Sequence, residues 1–385
     1  MPGEAGWSAR LALGWRILTH DKGRTALAVA GVFLAILLVF VQLGFFIAVP
    51  RGGMLLYDRT QFDLLAASTG YEYQVQPGEF PLSSLDKART APEVALAAPL
   101  YFGSAKWRSG EDGKAPDIFV IGLDPQDRIF VSEDINRQLA ALDRANTALV
   151  DRTTRSMFGP LTTRRVVEID DDKVTIGGNY LLGTGFMGLG VMLVSAHNFA
   201  RLFPYRKLDK ANLGLIQLKP GVDPDRAAAS LRKLLGSDVQ IFTRPELEAH
   251  ETAYWTTRTS VGLLFGSGLI VSFIVGVMVV YQILATQVSR QLPQFATLKA
   301  VGYGDRFLSG TVITMALLIV LAGFFPAFAA ALGIYAVIRD ETLLPVEMSG
   351  TRVAAVFAAT LAMAAASALL SMGSLRRAEP ADLFG

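Results

Sequence analysis

Two glycine-containing segments carry residue types that could bind phosphate groups. Gly183–Gly188 (GTGFMG) matches G-x-G-x-x-G, a pattern that binds dinucleotides where it joins a strand to a helix and an acidic residue follows about 20 residues later. Here we expect a strand after the pattern, which favours a plain glycine-rich loop. Gly110–Lys114 (GEDGK) has the wrong glycine spacing for a phosphate-binding loop, and Ala115 stands where a Mg²⁺-binding hydroxyl is required. The chain is therefore predicted to have no nucleotide-binding loop of its own.

No other set of residues has a spacing typical of catalysis or metal binding. The chain has no cysteine, and its three histidines (His20, His197 and His250) are scattered, so neither a thiolate metal site nor a disulfide framework is expected. No Ser/His/Asp triad and no pair of catalytic carboxylates can be argued from spacing. The net charge of +2 is too small to indicate nucleic-acid binding. We therefore expect that the chain is not an enzyme and binds no metal or cofactor itself.

The most informative property of the sequence is its hydrophobic patterning. Mean hydropathy is +0.38 and charged residues are 18% of the chain, against about 25% in a typical soluble domain. About 20 apolar residues in a helix cross a hydrocarbon core of about 30 Å. The charge-free runs that are long enough are Thr25–Pro50, Thr259–Ser289, Phe307–Ile338 and Val353–Leu375. A cleaved signal peptide is the alternative for the first run, but it would need a shorter apolar stretch and a clear A-x-A site.

The distribution of Lys and Arg predicts the orientation of these spans, because positive residues accumulate in cytoplasmic segments. They are frequent in residues 1–24, 290–306 and 376–385, whereas residues 339–352 also carry acidic groups. These three basic segments are therefore predicted to be cytoplasmic, and residues 51–258 and 339–352 to be periplasmic. The basic residues concerned are Arg10, Arg16, Lys22, Arg24, Arg290, Lys299, Arg306, Arg376 and Arg377.

The expected fold is that of a membrane protein with four transmembrane helices in a one-plus-three order and a large α+β domain inserted after the first. Trp7, Leu11, Trp15 and Leu18 recur at helical spacing, so residues 1–24 are predicted to contain an amphipathic helix at the cytoplasmic membrane surface. The predicted spans are 25–50, 259–289, 307–338 and 353–375. They are joined by residues 51–258, a cytoplasmic loop at 290–306 and a periplasmic loop at 339–352, and a tail follows at 376–385.

Residues 51–258 alternate between strand-like and helix-like stretches. Arg164–Asp170 and Lys173–Leu181 predict a hairpin with its turn at Asp170–Asp172. Pro224–Leu235 predicts an amphipathic helix between two strands, an order typical of split-βαβ folds. From Pro245 the sequence predicts a helix that runs without a breaker into the second span, as a stalk. The other predicted strands are Phe62–Ser68, Val94–Phe102, Ile118–Leu123, Thr147–Asp151, Met192–Ser195, Leu213–Leu218 and Val239–Phe242.

No Asp, Glu, Lys, Arg or His lies inside the four spans, which disfavours an ion-coupled transporter with a charged midplane site. Pro326, with Gly323 before it, could break the third span, although a simple kink is favoured. Small residues in the second span recur at a spacing that lets helix backbones approach closely, within one chain or between the two chains of a homodimer. These residues are Gly262, Gly266, Gly268, Ser272 and Gly276.

Gln291–Gly304 (QLPQFATLKAVGYG) predicts a short helix in the cytoplasmic loop. Pro293 suits the first turn of a helix and Gly302 can end it. A short, partly apolar helix of this kind is expected to dock into a groove on another protein, with a position on the membrane surface as the alternative. The apolar residues predicted to share one face are Phe295, Leu298 and Val301, with Lys299 beside them.

These segments resemble the permease subunit of type VII ABC transporters, the MacB/FtsX/LolC superfamily, and the DevC branch most closely. Leu292–Leu308 is similar to the coupling-helix region of that branch. Phe62–Ser68, residues 181–190 (LLGTGFMGLG) and Arg376–Phe384 also look like family features. The resemblance covers essentially the whole chain. Gln294 departs from it, since many relatives carry Glu there, so a carboxylate contact with the ATPase is not expected.

The resemblance implies a homodimer in the bacterial inner membrane that works with a separate cytoplasmic ABC ATPase dimer, which holds the ATP and Mg²⁺. In DevC-like systems a periplasmic adaptor and an outer-membrane channel complete an exporter, here of a lipid, glycolipid or hydrophobic substrate, and the spans also contact membrane lipids. The alternative is a non-transporting regulator of a periplasmic cell-wall enzyme, as in FtsX-type permeases. The residues expected to couple to the ATPase are Gln291, Pro293, Gln294, Phe295, Leu298, Lys299, Val301 and Gly302.

Overall fold

The structure, a computed structural model, describes residues 7–20, 22–108, 115–183, 185, 187–342 and 345–376. The chain divides into two compact units. The helical unit comprises Met1–Ala48, Ser260–Thr342 and Val346–Gly385, and the β-rich unit comprises Val49–Thr259 and Leu343–Pro345. Each unit has its own hydrophobic core.

The secondary-structure elements have the following bounds. The described α-helices are α1 (Trp7–His20), α2 (Lys22–Gly53), α3 (Leu55–Asp58), α4 (Leu82–Arg89), α5 (Glu133–Gln138), α6 (Ala196–Leu202), α7 (Pro224–Leu235), α8 (Arg244–Ala253), α9 (Ser260–Arg290), α10 (Leu292–Ala300), α11 (Asp305–Thr342) and α12 (Gly350–Arg376). The described strands are β1 (Leu64–Ser68), β2 (Phe80–Pro81), β3 (Val94–Arg108), β4 (Asp117–Leu123), β5 (Thr147–Asp151), β6 (Val166–Ile169), β7 (Asp172–Tyr180), β8 (Val191–Ser195), β9 (Lys210–Ala211), β10 (Leu213–Leu218) and β11 (Val239–Thr243). Short 3-10 turns cover Leu139–Asp143, Ser156–Phe158 and Gly236–Asp238, and a π-helical turn covers Tyr254–Arg258.

Four of the described helices, α2, α9, α11 and α12, are long and apolar enough to cross a membrane. These helices confirm the four predicted apolar spans, with ends that differ by a few residues. In chain order, α2 precedes the strands of the β-rich unit and the other three follow them.

The N-terminal helix α1 packs along α11 within the helical unit. A Cβ added to Gly14 would lie 3.4 Å from Met315 Cγ, and Leu18 is buried. Trp15 is 58% exposed, so the predicted apolar face is divided between the core and the outside. The predicted position of α1 at a membrane surface stays a prediction.

The core of the helical unit is formed largely by α2 and α11. Val32, Ile36 and Phe40 lie one helical turn apart and are all buried. The Phe40 ring packs against Phe324 with 5.8 Å between centroids, and the hydroxyl of Tyr335 donates a hydrogen bond to the Phe40 carbonyl. A chain of packed side chains therefore joins these two helices over several turns.

α11 remains helical through Pro326, so the alternative of a broken helix at this proline is wrong. One turn earlier, α11 passes very close to α2. A Cβ added to Gly323 would lie 2.9 Å from Val32 Cγ1 and 3.1 Å from the backbone nitrogen of Phe33. The backbone atom cannot move aside as the end of a flexible side chain can, so this crossing requires glycine.

The β-rich unit is built on a sheet of nine described strands, in the order β11-β1-β10-β3-β4-β8-β5-β7-β6. The pairs β4–β8 and β5–β7 are parallel, and the others are antiparallel. The long strand β3 pairs first with β10, then with β4, and at its end with β6. Because β6 is also the last strand in the order, the pairings from β3 to β6 close into a ring, which removes the exposed edges there.

At the other end of the sheet, β1-α4-β3 and β10-α7-β11 form two strand–helix–strand units whose strands interleave as β11-β1-β10-β3. This is the split-βαβ arrangement, and it confirms the pattern predicted around residues 213–243. Alternate residues of β1 enter different cores: Leu64 and Ala66 face one, Leu65 and Ala67 the other. Because both faces are covered, the strand is an unbroken apolar run.

The predicted strands are confirmed, with ends that differ by one or two residues in most cases and by more in β3. β3 continues to Arg108, where pairing with β6 extends it beyond the predicted end at Phe102. β7 begins at Asp172, inside the predicted turn. The helices α4, α5 and α6 have only six to eight residues, too few for a clear helical period in the sequence.

The predicted uninterrupted stalk helix is wrong. α8 ends at Ala253, the π-helical turn follows, and Thr259 has an extended backbone (φ −105°, ψ 150°) before α9 begins. Three threonines of this stretch turn their hydroxyls back to the carbonyl four residues earlier, a bond that bends helices. They are Thr256, Thr257 and Thr259, with O···O distances of 2.7, 2.6 and 2.7 Å.

The close crossing of α2 and α11 yields a prediction for Gly323→Ala. The clash should cost about 1–3 kcal/mol, more than the gain of up to about 1 kcal/mol that alanine brings to a helix interior. We therefore expect a lower thermal unfolding midpoint for the full chain in detergent. Gly333→Ala on the same helix is the control, because no atom lies within 4 Å of its added Cβ. Equal midpoints for the two variants would contradict the close crossing.

Candidate coupling site

The loop between α9 and α11 contains a short capped helix, as predicted. α10 follows α9 after Gln291 and has Pro293 in its first turn, where a missing N–H costs nothing. The hydroxyl of Thr297 bonds to the Pro293 carbonyl at 2.9 Å. The loop therefore has a defined helical shape of its own.

The end of α10 is fixed by a Schellman motif. Gly302 has φ +103°, its N–H donates to the carbonyl of Lys299 at 3.1 Å, and the N–H of Tyr303 donates to the carbonyl of Leu298 at 3.0 Å. This pattern of bonds needs a left-handed residue that glycine adopts without strain. Lys299 Nζ also lies 3.0 Å from a carboxylate oxygen of Asp305, at the start of α11.

The predicted apolar face of α10 is divided by the structure. Leu298 is partly buried against Val288, Leu308 and Val312 of the same chain, whereas Val301 is 66% exposed. Leu298 therefore holds the loop onto its own helices. The Phe295 side chain lies outside the described residues. The other predicted coupling residues are exposed, except for the partly buried Gln291: they are Pro293, Gln294, Lys299 and Gly302.

The small residues of α9 approach helices of the same chain. A Cβ added to Gly266 would lie 3.4 Å from the Phe46 ring, and one added to Gly268 would lie 2.7 Å from the Gln42 amide, both on α2. Gly276 faces Ala35 of α2 and Met363 of α12, and Gly262 and Ser272 are buried. Their role in packing between two chains stays a prediction.

The opposite face of α9 is apolar and exposed. Its exposed residues recur every three or four positions, as expected for one side of a helix. They are Leu263, Leu264, Ile270, Val271, Ile274, Val275 and Met278. Such a surface suits lipid or another membrane helix.

The glycine-rich segment lies in a loop between β7 and β8, as predicted. Gly183, Gly185 and Gly188 have φ values of +97°, +51° and +129°, a region that L side chains rarely adopt. A Cβ added to Gly185 would lie 2.9 Å from the carbonyl oxygen of Gly52. The glycines thus allow the loop to lie directly on the C-terminal end of α2. Thr184 and Phe186, and also Gly110–Lys114 and Arg377–Phe384, lie outside the described residues.

A buried carboxylate fixes this loop. Asp151, at the end of β5, is fully buried and accepts hydrogen bonds from the N–H groups of Leu182 and Gly183 at 2.8 and 2.9 Å. Its other oxygen accepts from the N–H and the hydroxyl of Thr153 at 2.7 and 2.6 Å. Burial, with the nearby Asp151 charge, raises the pKa of Tyr180 well above its usual value. Among the described residues, no cluster of His, Cys, Asp or Glu is placed to hold a metal ion.

Four membrane-capable helices beside a separate α/β unit are typical of a multi-pass membrane protein, and the comparison with known families specifies its class. The model of the MacB-like periplasmic core domain matches residues 25–234, and that of the FtsX-like permease C-terminal domain matches residues 266–380. The first match alone covers more than half of the chain. The protein belongs to the MacB/FtsX family of type VII ABC permeases. Permeases of this family generally work with a cytoplasmic ABC ATPase.

Among solved structures, the chain is similar to extracytoplasmic regions of two such proteins and to a domain of a third. The periplasmic region of MacB from Actinobacillus actinomycetemcomitans has 10% identity and a TM-score of 0.36, over 50% of this chain and 94% of that one. The extracellular domain of the noncanonic ABC-type transporter YknZ from Gram-positive bacteria has 14% identity and a TM-score of 0.32, over 47% of this chain and 99% of that one. A domain of a putative permease from Porphyromonas gingivalis has 16% identity and a TM-score of 0.30, over 48% of this chain and 87% of that one. No curated protein sequence matches the chain.

The bonds to Asp151 yield a prediction for Asp151→Asn. An amide keeps only one acceptor oxygen, so its N–H₂ would face either the N–H groups of Leu182 and Gly183 or that of Thr153. A buried donor left unpaired in this way costs about 1–3 kcal/mol. We expect faster chymotrypsin cleavage of the full chain within residues 181–190, and a lower thermal midpoint. Asp171→Asn is the control, because that side chain is 96% exposed. Parent-like cleavage of Asp151→Asn would show that the carboxylate does not hold the loop.

Proposed function

We propose that this chain is the transmembrane subunit of an ATP-driven exporter that works by mechanical transmission. In this proposal α2, α9, α11 and α12 cross the inner membrane in a one-plus-three order. Both termini and α10 lie in the cytoplasm, and the β-rich unit and residues 339–352 lie in the periplasm. The excess of Lys and Arg at the proposed cytoplasmic ends supports this orientation.

The observation that carries the proposal is the capped helix α10 between two membrane-capable helices. It exposes Gln294 and Thr297, the exposed Val301 follows directly after it, and Leu298 packs against the helices of the same chain. A rigid helix with an exposed polar and apolar surface suits docking into a groove on a partner protein. The partner would be a cytoplasmic ABC ATPase dimer that supplies ATP and Mg²⁺. A movement of α10 would then reach α9 and α11 directly, since it is joined to both by one or a few residues.

The other assembly partners follow from the resemblance to the DevC branch. We propose a homodimer that binds a periplasmic adaptor and, through it, an outer-membrane channel, and that exports a lipid, glycolipid or other hydrophobic substrate. The absence of ionisable residues within the four apolar runs supports a mechanism without a polar path through the spans.

A regulator of a periplasmic cell-wall enzyme is the second candidate. The match of the C-terminal region to FtsX-like permeases favours it, whereas the longer MacB-like match favours export. Affinity purification of the full chain after cross-linking in cells separates the two, because an exporter should recover an adaptor and a regulator should recover a hydrolase.

The docking proposal predicts the effect of Val301→Asp. A carboxylate at this exposed position should not disturb the fold, but it would be desolvated without a partner in an apolar contact. We expect at least about a tenfold loss of ATPase stimulation, equivalent to about 1.4 kcal/mol. The measurement is ATP hydrolysis by the co-purified ATPase with the permease in lipid nanodiscs.

Val131→Asp is the matched control, since Val131 is 57% exposed in the β-rich unit and should leave stimulation unchanged. Leu298→Asp should behave differently from both variants, because it places a charge against the apolar cluster beneath α10 and should lower the thermal midpoint as well. Full stimulation by a correctly folded Val301→Asp complex would show that α10 does not contact the ATPase through this face.

A further inference from the structure

Two segments that are far apart in the sequence meet inside the β-rich unit, around one buried carboxylate. The first, Val49–Arg59, contains the end of α2 and the short helix α3. The second, Arg244–Thr259, contains α8 and the π-helical turn, and precedes α9. Glu251, on α8, is fully buried, although glutamate almost never is unless its charge or hydrogen bonds are satisfied. Glu251 takes no part in the candidate coupling site, which lies on α10.

Two side-chain donors bond to the Glu251 carboxylate. The hydroxyl of Tyr71 donates to Oε1, and the indole N–H of Trp255 donates to Oε2 at 3.3 Å. The backbone amide of Gln74 also favours the charged carboxylate and lowers its pKa. The Tyr71 hydroxyl lies 2.6 Å from that of Tyr57 on α3. A continuous buried hydrogen-bond chain therefore joins α8 to α3 through the loop that follows β1.

The end of α2 lies directly on the same group. A Cβ added to Gly53 would lie 2.5 Å from Trp255 Nε1 and 3.2 Å from Glu251 Oε2, so only glycine fits. A second tie joins the segments nearby, where Arg244 donates to the Tyr57 carbonyl at 2.7 Å. The two segments are thus held together at both ends of α8.

The backbone on either side of this cluster is irregular. After Glu251 come the π-helical turn and the extended Thr259, and after Gly53 come a turn at Met54 and the single helical turn of α3. Irregular backbone at element ends is where bending is absorbed. The cluster is therefore the fixed point between two bendable stretches.

We propose that Glu251 is the positioning residue of a joint that locks the segment leaving α2 to the segment entering α9, so that the two move as one body. This inference rests on the proposed function in one respect only, namely that an ATPase would drive the movement of the two segments. The lock itself belongs to the permease chain and can be measured without an ATPase.

The charge state of Glu251 should control the lock. Burial, only partly offset by Tyr71, Trp255 and Gln74, raises the pKa of its carboxyl from 4.5 to about 7. The folded chain therefore holds this proton more tightly than the unfolded chain, and the stabilisation falls as pH rises from about 4.5 to about 7. The chain of bonds can form in both states, because an ionised carboxylate accepts from Tyr71 and a protonated one can donate to it. Loss of the proton weakens the closed joint because an ionised carboxylate is then buried away from water.

Other groups that face the cluster define the controls. The titratable side chains packed around it are Tyr57 on α3, Tyr71, Glu72 and Tyr73 in the loop after β1, and His250 and Tyr254 in the second segment. His250 is the one of these that contacts the Tyr71 ring from α8, with 5.4 Å between ring centroids. His250→Gln therefore tests whether a pH response comes from the imidazole instead of the carboxyl.

The experiment uses spin labels on the full chain in lipid nanodiscs. The chain has no cysteine, so Arg59→Cys and Ala253→Cys place one label on an exposed position of each segment. We expect a narrow distance distribution at pH about 6 that broadens about twofold at pH about 8.5, as the carboxyl loses its proton. Glu251→Gln mimics the neutral carboxyl and should stay narrow at both pH values, and His250→Gln should respond as the parent does.

Removal of the bonds should open the joint at both pH values. Tyr71→Phe keeps the ring and loses the hydroxyl that links α3 to Glu251, so it should give the broad distribution, as should Glu251→Ala. Tyr73→Phe in the same loop and Glu248→Gln on the exposed face of α8 are the controls and should match the parent. If Glu251→Ala fails to fold, Tyr71→Phe carries the test.

Two results would contradict the proposed joint. One is a parent-like distribution in folded Tyr71→Phe, and the other is a pH response that survives in Glu251→Gln. Neither result bears on ATPase docking, because no ATPase is present. Conversely, Val301→Asp should leave the label distances unchanged, so the failure of one proposal is distinguishable from the failure of the other.

Discussion

Every backbone polar group that lies in hydrocarbon must find its hydrogen bond within the protein, and the rest of this structure depends on that constraint. The four apolar helices satisfy it without interruption, and even Pro326 lies within a continuous helix. Irregular backbone is concentrated elsewhere, in the glycine-rich loop, the π-helical turn and the loop around α10. Such helices can change position as rods but cannot easily change shape. Movement within the chain must therefore be absorbed at the segments between them.

Those segments are held by a small number of buried polar groups. Asp151 fixes the glycine-rich loop through bonds to backbone N–H groups, and that loop lies on the backbone at the C-terminal end of α2. Glu251 fixes the neighbouring residues of the same stretch from the other segment. A buried carboxylate is costly unless its hydrogen bonds are complete. Each therefore tolerates few alternative positions of its donors, so the stretch from Gly52 to Tyr57 is held by contacts from two sides.

The sequence predicts the parts of the fold that depend on local pattern. The apolar runs, the strands with both faces buried and the capped α10 could all be recognised from composition, period and the positions of Pro293 and Gly302. The closure of the sheet between β3 and β6 depends on pairing between distant segments and leaves no local signal. Glu251 and Tyr71 are 180 residues apart, so their contact could not be anticipated. The threonines at 256, 257 and 259 were a usable signal for the interrupted stalk, since threonine hydroxyls compete for helix carbonyls.

The interruption between α8 and α9 affects how a movement could pass from one helix to the other. A continuous helix from α8 into α9 would pass tilt and rotation on without any further contact. The π-helical turn and the extended Thr259 form an irregular stretch that interrupts the helix between them, so α8 and α9 do not form one continuous helix. Trp255 lies within that stretch and is buried against Gly53 and Glu251. The structure thus places the connection between the two segments in packing and hydrogen bonds instead of in the backbone.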